Sequence, residues 1–343
     1  MNATVRKGNT AKGGAAVKAA SGRGGKQRKP DTKWFVESRF GMFVHWGLYA
    51  MPARHEWLRH NESIKDEDYA KYFELFDPDK FDPASWAAAA RAAGMKYVVI
   101  TTKHHEGFCL WDSKFTDYKA TNTLAKRDLL RGIVDAFRKE GLRIGFYYSL
   151  IDWHHSDFVV DGRIGPYRNL PPEERKLRNA GRDMKKYAKY MRDQVTELLT
   201  GYGRIDIMWY DFSYPGEDGK GREDWESEKL IALTRRLQPG IMVNNRLDLP
   251  GSPDFETPEQ YTPAYPLVDG EGKPVVWEGC QTMSGSWGYH RDEASWKSPL
   301  MCIAMLINHV SRGGNLLMNV GPTARGQIDA RAMGVLSEYA KWM

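Results

Sequence analysis

The chain has 343 residues, 41% hydrophobic and 12% aromatic. It is long and apolar enough for one large domain or two ordinary ones, and too aromatic for wholesale disorder. Three cysteines (Cys109, Cys280, Cys302) without a CxxC pair argue against a zinc ribbon and a disulfide scaffold. No apolar run reaches the ~18–20 residues of a membrane-spanning helix, and the N-terminal stretch lacks the apolar core of a secretory signal. A cytoplasmic location is therefore the default expectation.

The formal charge of +6 is unevenly placed. Residues 1–33 carry nine Lys/Arg against the single acid Asp31, and the remaining 41 basic and 43 acidic residues leave the body at −2. This leader is rich in Gly, Ala and Ser, has no aromatic residue before Trp34, and reads as a disordered basic tail. Such a tail can bind nucleic acid or anionic surfaces without specificity. A plain flexible leader is the preferred reading, because nucleic-acid-binding domains also spread basic charge over a folded face. No specific nucleic-acid partner and no membrane partner are expected; a homo-oligomer is compatible with the sequence.

From Trp34 onward, strand and helix patterns alternate. The first strand is expected over Met42–Trp46. A helix over Pro83–Ala93 follows, opened by Asp82 as N-cap and stopped by Gly94. Then come a strand at Tyr97–Thr101, a helix at Leu129–Lys139 ending at Gly141, and a strand at Arg143–Ser149. A long amphipathic helix is expected over Glu173–Leu199, a strand at Ile205–Tyr210, and a helix at Glu223–Leu237 before Pro239. Strands at Gly240–Val243 and Val275–Glu278, a helix at Pro299–Ser311, a strand at Asn315–Val320 and a helix at Gln327–Trp342 complete the chain. The strands are short continuous apolar runs, the pattern of strands buried on both faces. Alternation over about 300 residues points to an α/β fold with a parallel sheet. No GxGxxG follows the first strand, and polar or aromatic residues sit after one strand after another. Both features favour a (β/α)8 TIM-like barrel, regular or irregular, over a doubly wound sheet.

In such a barrel the strand ends converge on one mouth. They carry His45-Trp46, Glu56-Trp57, His104-His105-Glu106, Tyr147-Tyr148, Trp209-Tyr210-Asp211, Asn245-Arg246, Glu256, Glu259 and Glu278. Histidine, tryptophan, tyrosine, arginine and carboxylates together suit a sugar: aromatic faces stack on its C–H side and fixed polar groups take its hydroxyls. The adjacent histidines lack HxH or HExxH spacing, so no metal and no cofactor are expected. Asp211 ends the apolar run IDIMWYD, where a carboxylate must be paired, liganded or facing a cavity. Glycoside hydrolysis fits a pocket of this kind. Its retaining form needs an ionised nucleophile and a second carboxyl acting as acid, then base.

The segments RFGMFVHWG (39–47), HEW (55–57), KHHEGF (103–108), YYS (147–149), WYD (209–211), WE (277–278) and GNLLMNVGP (314–322), in this order, resemble the α-L-fucosidases of glycoside hydrolase family 29. The resemblance covers the chain from about Trp34 onward. It implies a retaining exo-glycosidase that removes terminal α-L-fucose from fucosylated glycans or glycoconjugates through a covalent fucosyl-enzyme intermediate. Position by position it makes Asp211 the nucleophile, and His45, Glu56, Trp57, His104, His105, Trp209 and Arg246 the grip on the sugar. One tyrosine of the 147–148 pair belongs to that grip, taken as Tyr148. The acid/base falls on the variable loop 254–260, taken as Glu259 with Glu256 as the alternative; Glu278 is assigned a structural role. Most members continue into a C-terminal β-sandwich, whereas this chain stops about where that domain would begin. A catalytic barrel over 34–343 after a tail over 1–33 is expected. Two other readings stay open: a fucose-binding, lectin-like protein without turnover, and a related glycosidase accepting galactose-like sugars.

Overall fold

The computed structural model describes residues 30–343. The basic stretch 1–29 lies outside the described residues. Seven strands form one all-parallel sheet: β1 (Phe40–Val44), β2 (Tyr97–Lys103), β3 (Arg143–Ser149), β4 (Ile207–Asp211), β5 (Met242–Val243), β6 (Glu278–Thr282) and β7 (Asn315–Val320), in the order β5-β4-β3-β2-β1-β7-β6. Almost every strand residue is buried, because helices cover the outer face and the sheet curls around an apolar interior.

The two edges, β5 and β6, are joined through residues 255–259. Single parallel bridges pair Asn244 with Phe255, Glu256 with Trp277 and Glu259 with Cys280. The bonds run on both sides: Asp254 N donates to Val243 O (2.8 Å), Glu278 N to Glu256 O (2.9 Å) and Cys280 N to Pro258 O (3.0 Å). Pro258 has no N–H to give, so this eighth stave cannot form a regular ladder. The result is a (β/α)8-like barrel with one irregular stave.

Strand alternation sorts the core into two shells. Phe43, Val99, Tyr147, Ile207, Trp209, Met242, Phe255, Cys280 and Leu317 point into the barrel, together with Phe35 and Tyr97. Their neighbours Met42, Val44, Val98, Ile100, Phe146, Tyr148, Met208 and Tyr210 point outward against the helices. The short helix Lys33–Ser38 brings Phe35 to the bottom of the interior, where Asn315 Nδ2 donates to Phe35 O (2.8 Å).

The outer helices start where capping residues allow. Asp82, Asp128, Asp183, Ser298 and Asp329 each accept a backbone N–H of a first turn. Three expectations need correction. The long helix over Glu173–Leu199 is two helices, Pro172–Arg178 and Met184–Gly201: Gly181 turns the chain with φ 84°, and Asp183 caps a new start. The helix over Glu223–Leu237 is likewise interrupted at Glu226, which takes a left-handed φ of 48°. The strand over Val275–Glu278 begins only at Glu278 and runs to Thr282.

Candidate active site at the barrel mouth

The C-terminal strand ends surround a cleft of about 420 Å³, open mouth included. It is lined by His45, Trp57, His104, His105, Trp209, Asp211, Arg246 and Glu259, all expected from the sequence, and by Phe43, Phe212, Cys280 and Trp287.

His45 follows β1. Its Nδ1 lies 2.7 Å from Asn319 Oδ1, while Asn319 Nδ2 donates to Trp287 O at 2.6 Å. The amide oxygen is therefore the acceptor, His45 carries its proton on Nδ1, and Nε2 is left as an acceptor. Burial pushes His45 down to about 3, against the raising hydrogen bond that it donates to Asn319, so the ring is neutral.

His104 and His105 follow β2. On an extended chain they would face opposite ways. Here they begin a tight turn that Gly107 closes, with φ 86° and its N–H on His104 O (3.0 Å). Both rings reach the cleft, 4.0 Å apart. Ser149 Oγ donates to Ile151 O (2.7 Å), so it accepts from His105 Nδ1 (2.7 Å), and His105 Nε2 is left 3.9 Å from Asp211 Oδ2. His104 Nδ1 is buried with no hydrogen-bond partner. Burial first, then the neighbouring histidines and, for His105, also Lys103, holds both rings well below the usual histidine range.

Asp211 ends β4. Its Oδ2 accepts from Tyr147 OH (2.7 Å) and its Oδ1 from Arg246 Nη1 (2.9 Å). Burial lifts the carboxyl and the Glu259 charge adds to that, while Arg246 and Tyr147 oppose it. Arg246 also reaches Glu259 Oε2 through Nη2 (2.7 Å) and Thr257 Oγ1 through Nε (3.0 Å), with its guanidinium carbon 4.5 Å from the Trp209 ring centre. Below the floor, Trp209 Nε1 donates to Glu278 Oε1 (3.2 Å) and Tyr97 OH to Glu278 Oε2 (2.5 Å). Burial raises that carboxyl to about 7.

The tyrosine assignment is corrected. Tyr148 points out of the barrel, donating to Gln194 Oε1 (2.8 Å) on the helix Met184–Gly201. Tyr147, one residue earlier and on the inward face, is the tyrosine that meets Asp211. Glu56 stands behind the wall rather than on it: Oε2 accepts from Trp287 N (3.1 Å) and Gly288 N (2.8 Å). Its Oε1 is buried without a hydrogen bond, 3.3 Å from His55 Nδ1. Glu256 accepts from Asn245 Nδ2 and does not line the cleft.

Some of the missed residues had a signal. Phe43 precedes His45 by two, the alternation of a strand, and Phe212 directly follows Asp211. Phe212 takes a positive φ of 75°, a strained position for an aromatic residue, which turns its ring against Trp57 and His105. Trp287 and Cys280 are placed by tertiary structure alone. Among the described residues, no group of three or more His, Cys, Asp or Glu is arranged to hold a metal ion.

The family model described as Alpha-L-fucosidase matches residues 18–343. Plasma alpha-L-fucosidase of Homo sapiens is 30% identical over 338 residues, spanning 90% of this chain and 67% of that protein. Among solved structures, alpha-L-fucosidase isoenzyme 1 from Paenibacillus thiaminolyticus superposes with TM-score 0.87 at 50% identity, over 91% of this chain and 75% of that one. A GH29 alpha-L-fucosidase from Bacteroides thetaiotaomicron, solved as a trapped covalent intermediate with 2-fluoro-fucosyl fluoride, superposes with TM-score 0.79 at 30% identity, over 96% of this chain and 78% of that one.

Proposed function

The chain belongs to the α-L-fucosidase family, glycoside hydrolase family 29, and from that premise we propose how its own residues perform the reaction. The activity is hydrolysis of α-L-fucosides, carried by fucosylated glycans, with retention at the anomeric carbon. Binding without turnover is not favoured.

Asp211 is the nucleophile. One carboxylate oxygen attacks the anomeric carbon, a C–O ester bond forms, and the bond to the leaving oxygen breaks. Glu259, 40% exposed at the mouth, gives its proton to that oxygen. As a carboxylate it then takes a proton from water, the hydroxide attacks the anomeric carbon, and Asp211 is released. Tyr147 and Arg246 hold Asp211 ionised and aimed through two charge-assisted hydrogen bonds. Neutral His45 and His105 offer Nε2 acceptors to ring hydroxyls. His104, whose ring lines the cleft and whose Nδ1 has no hydrogen-bond partner, completes the hydroxyl grip, and Glu56 backs it by holding Trp287 N and Gly288 N. Trp57, Trp209, Phe43 and Trp287 supply the apolar faces.

The single observation that carries this assignment is the Arg246 fork, which holds Asp211 and Glu259 at once. One guanidinium spanning both carboxylates suits the close pair of a retaining enzyme, ~5–5.5 Å, better than the wider inverting pair. The test is release of p-nitrophenol from the α-L-fucoside against the β-D-galactoside by purified protein. Turnover of the fucoside well above the galactoside is expected. Fucose binding without turnover would contradict the assignment, and preference for the galactoside would change the sugar.

A further inference from the structure

Beneath the two histidines lies a buried ion pair that the reaction itself does not use. Lys103, the last residue of β2, is fully buried, and so is Asp152, in the loop after β3. Lysine and aspartate are almost never fully buried unless paired, and a buried pair often stabilises no better than apolar residues of the same size. Here Lys103 Nζ sits 3.0 Å from Asp152 Oδ2 and 3.2 Å from Tyr187 OH, over the Tyr148 ring at 4.5 Å.

The pair stands where two loops meet. Asp152 Oδ1 accepts from His154 N (3.0 Å) and His155 N (2.9 Å), which fixes the loop after β3. Trp153 N, next to Asp152 in the chain, donates to His105 O (2.9 Å). On the other side the turn from His104 to Gly107 wraps the same carboxylate so closely that a Cβ on Gly107 would lie 2.2 Å from Asp152 Oδ1. The β2–β3 register slips between Thr101 and Lys103, and the slip lets Lys103 reach that carboxylate while both histidines leave the strand.

We infer that Lys103 and Asp152 are positioning residues for the sugar grip: their buried ion pair is the post that sets where His104 and His105 present their rings to the fucose. The inference rests on the fucosidase reading. It assigns a role to the lysine of the KHHEGF segment and to an aspartate from a different loop.

The test compares wild type, Lys103→Gln/Asp152→Asn and Asp152→Asn. The double variant removes both charges without leaving one unpaired, and its shorter glutamine gives up the reach to residue 152. Competitive inhibition by L-fucose and KM for an activated aryl fucoside are measured on the folded fraction, alongside thermal melts. Both Ki and KM are expected to rise together by about 10- to 100-fold in each folded variant, the scale of a small misplacement of binding groups. A cycle with His105→Ala should be non-additive, the ion-pair change costing less once the ring is gone. Lowered melting temperature with unchanged Ki and KM, or an additive cycle, would reduce the pair to a structural element and overturn the inference. Absence of fucoside turnover by wild type in the same assay would instead overturn the fucosidase reading.

Discussion

Asp211 and Glu259 are held by the two terminal nitrogens of one guanidinium: Arg246 Nη1 lies 2.9 Å from Asp211 Oδ1 and Nη2 lies 2.7 Å from Glu259 Oε2. The planar fork of arginine makes this possible; an ammonium on a flexible stem would not fix both partners in one plane. The position of both carboxylates, and the charge on Asp211, therefore depend on the same side chain.

Arg246→Met tests that dependence. Arg246 opposes the lift that burial gives Asp211, so its removal raises the carboxyl further. The acid limb of kcat/KM should move to higher pH, and the plateau should fall by about 10²-fold or more. A pH profile on an aryl fucoside checks it, and an unmoved acid limb would separate Arg246 from Asp211 ionisation.

Glu259→Ala removes the proposed proton donor, so the loss should follow leaving-group quality. A fucosylated disaccharide should lose on the order of 10²–10⁴-fold in kcat/KM, and an activated aryl fucoside much less. Equal losses on both would assign the acid to another carboxyl. Glu256→Ala, whose side chain faces Asn245, should show no such split.

The three histidines that line the cleft should stay neutral across ordinary assay conditions. Burial holds His45 near 3 and lowers His104 and His105 as well. The Ki of L-fucose should therefore show no histidine ionisation near the ordinary value of about 6.5. A break there, removed by replacing one of the three, would contradict the acceptor tautomers.

Glu278→Gln addresses stability. Burial lifts Glu278 from 4.5 to about 7. A raised carboxyl pKa gives its stabilisation in full below the unfolded value and loses it as pH climbs through the folded one. Wild type should lose stability between those two values, and the neutral variant should follow a flatter curve there and gain on it until about pH 7, above which the two run parallel. Glu106, also lifted to about 7 by burial, leaves a residual slope of the same sign. Melts across that window check it, and an unchanged slope would remove Glu278 as the source.

Much of this was legible from residues alone. Continuous apolar runs such as YVVIT mark strands buried on both faces, and the carboxylate closing IDIMWYD marks a strand end that opens on the cleft. The alternation rule established that one tyrosine faces in, but it has no phase until one residue of β3 is placed; the inward set with Phe43, Val99 and Trp209 supplies that phase and selects Tyr147. The break at Gly181 was hidden because charged helical periodicity continues on both sides of it. Trp287 could not be found from local pattern, since its place beside His45 comes from a loop more than 200 residues away. The eighth stave was illegible for a plainer reason: prolines and single bridges leave no strand pattern in the sequence.

The central claim is that Asp211 carries the fucosyl group. The most direct measurement incubates the protein with 2-deoxy-2-fluoro-fucosyl fluoride, whose fluorine slows release of the ester, and maps the labelled peptide by mass spectrometry. One fucosyl adduct is expected, on Asp211 in the β4 peptide, and none in Asp211→Asn. An adduct on Glu259, Glu256 or any other carboxylate would contradict it.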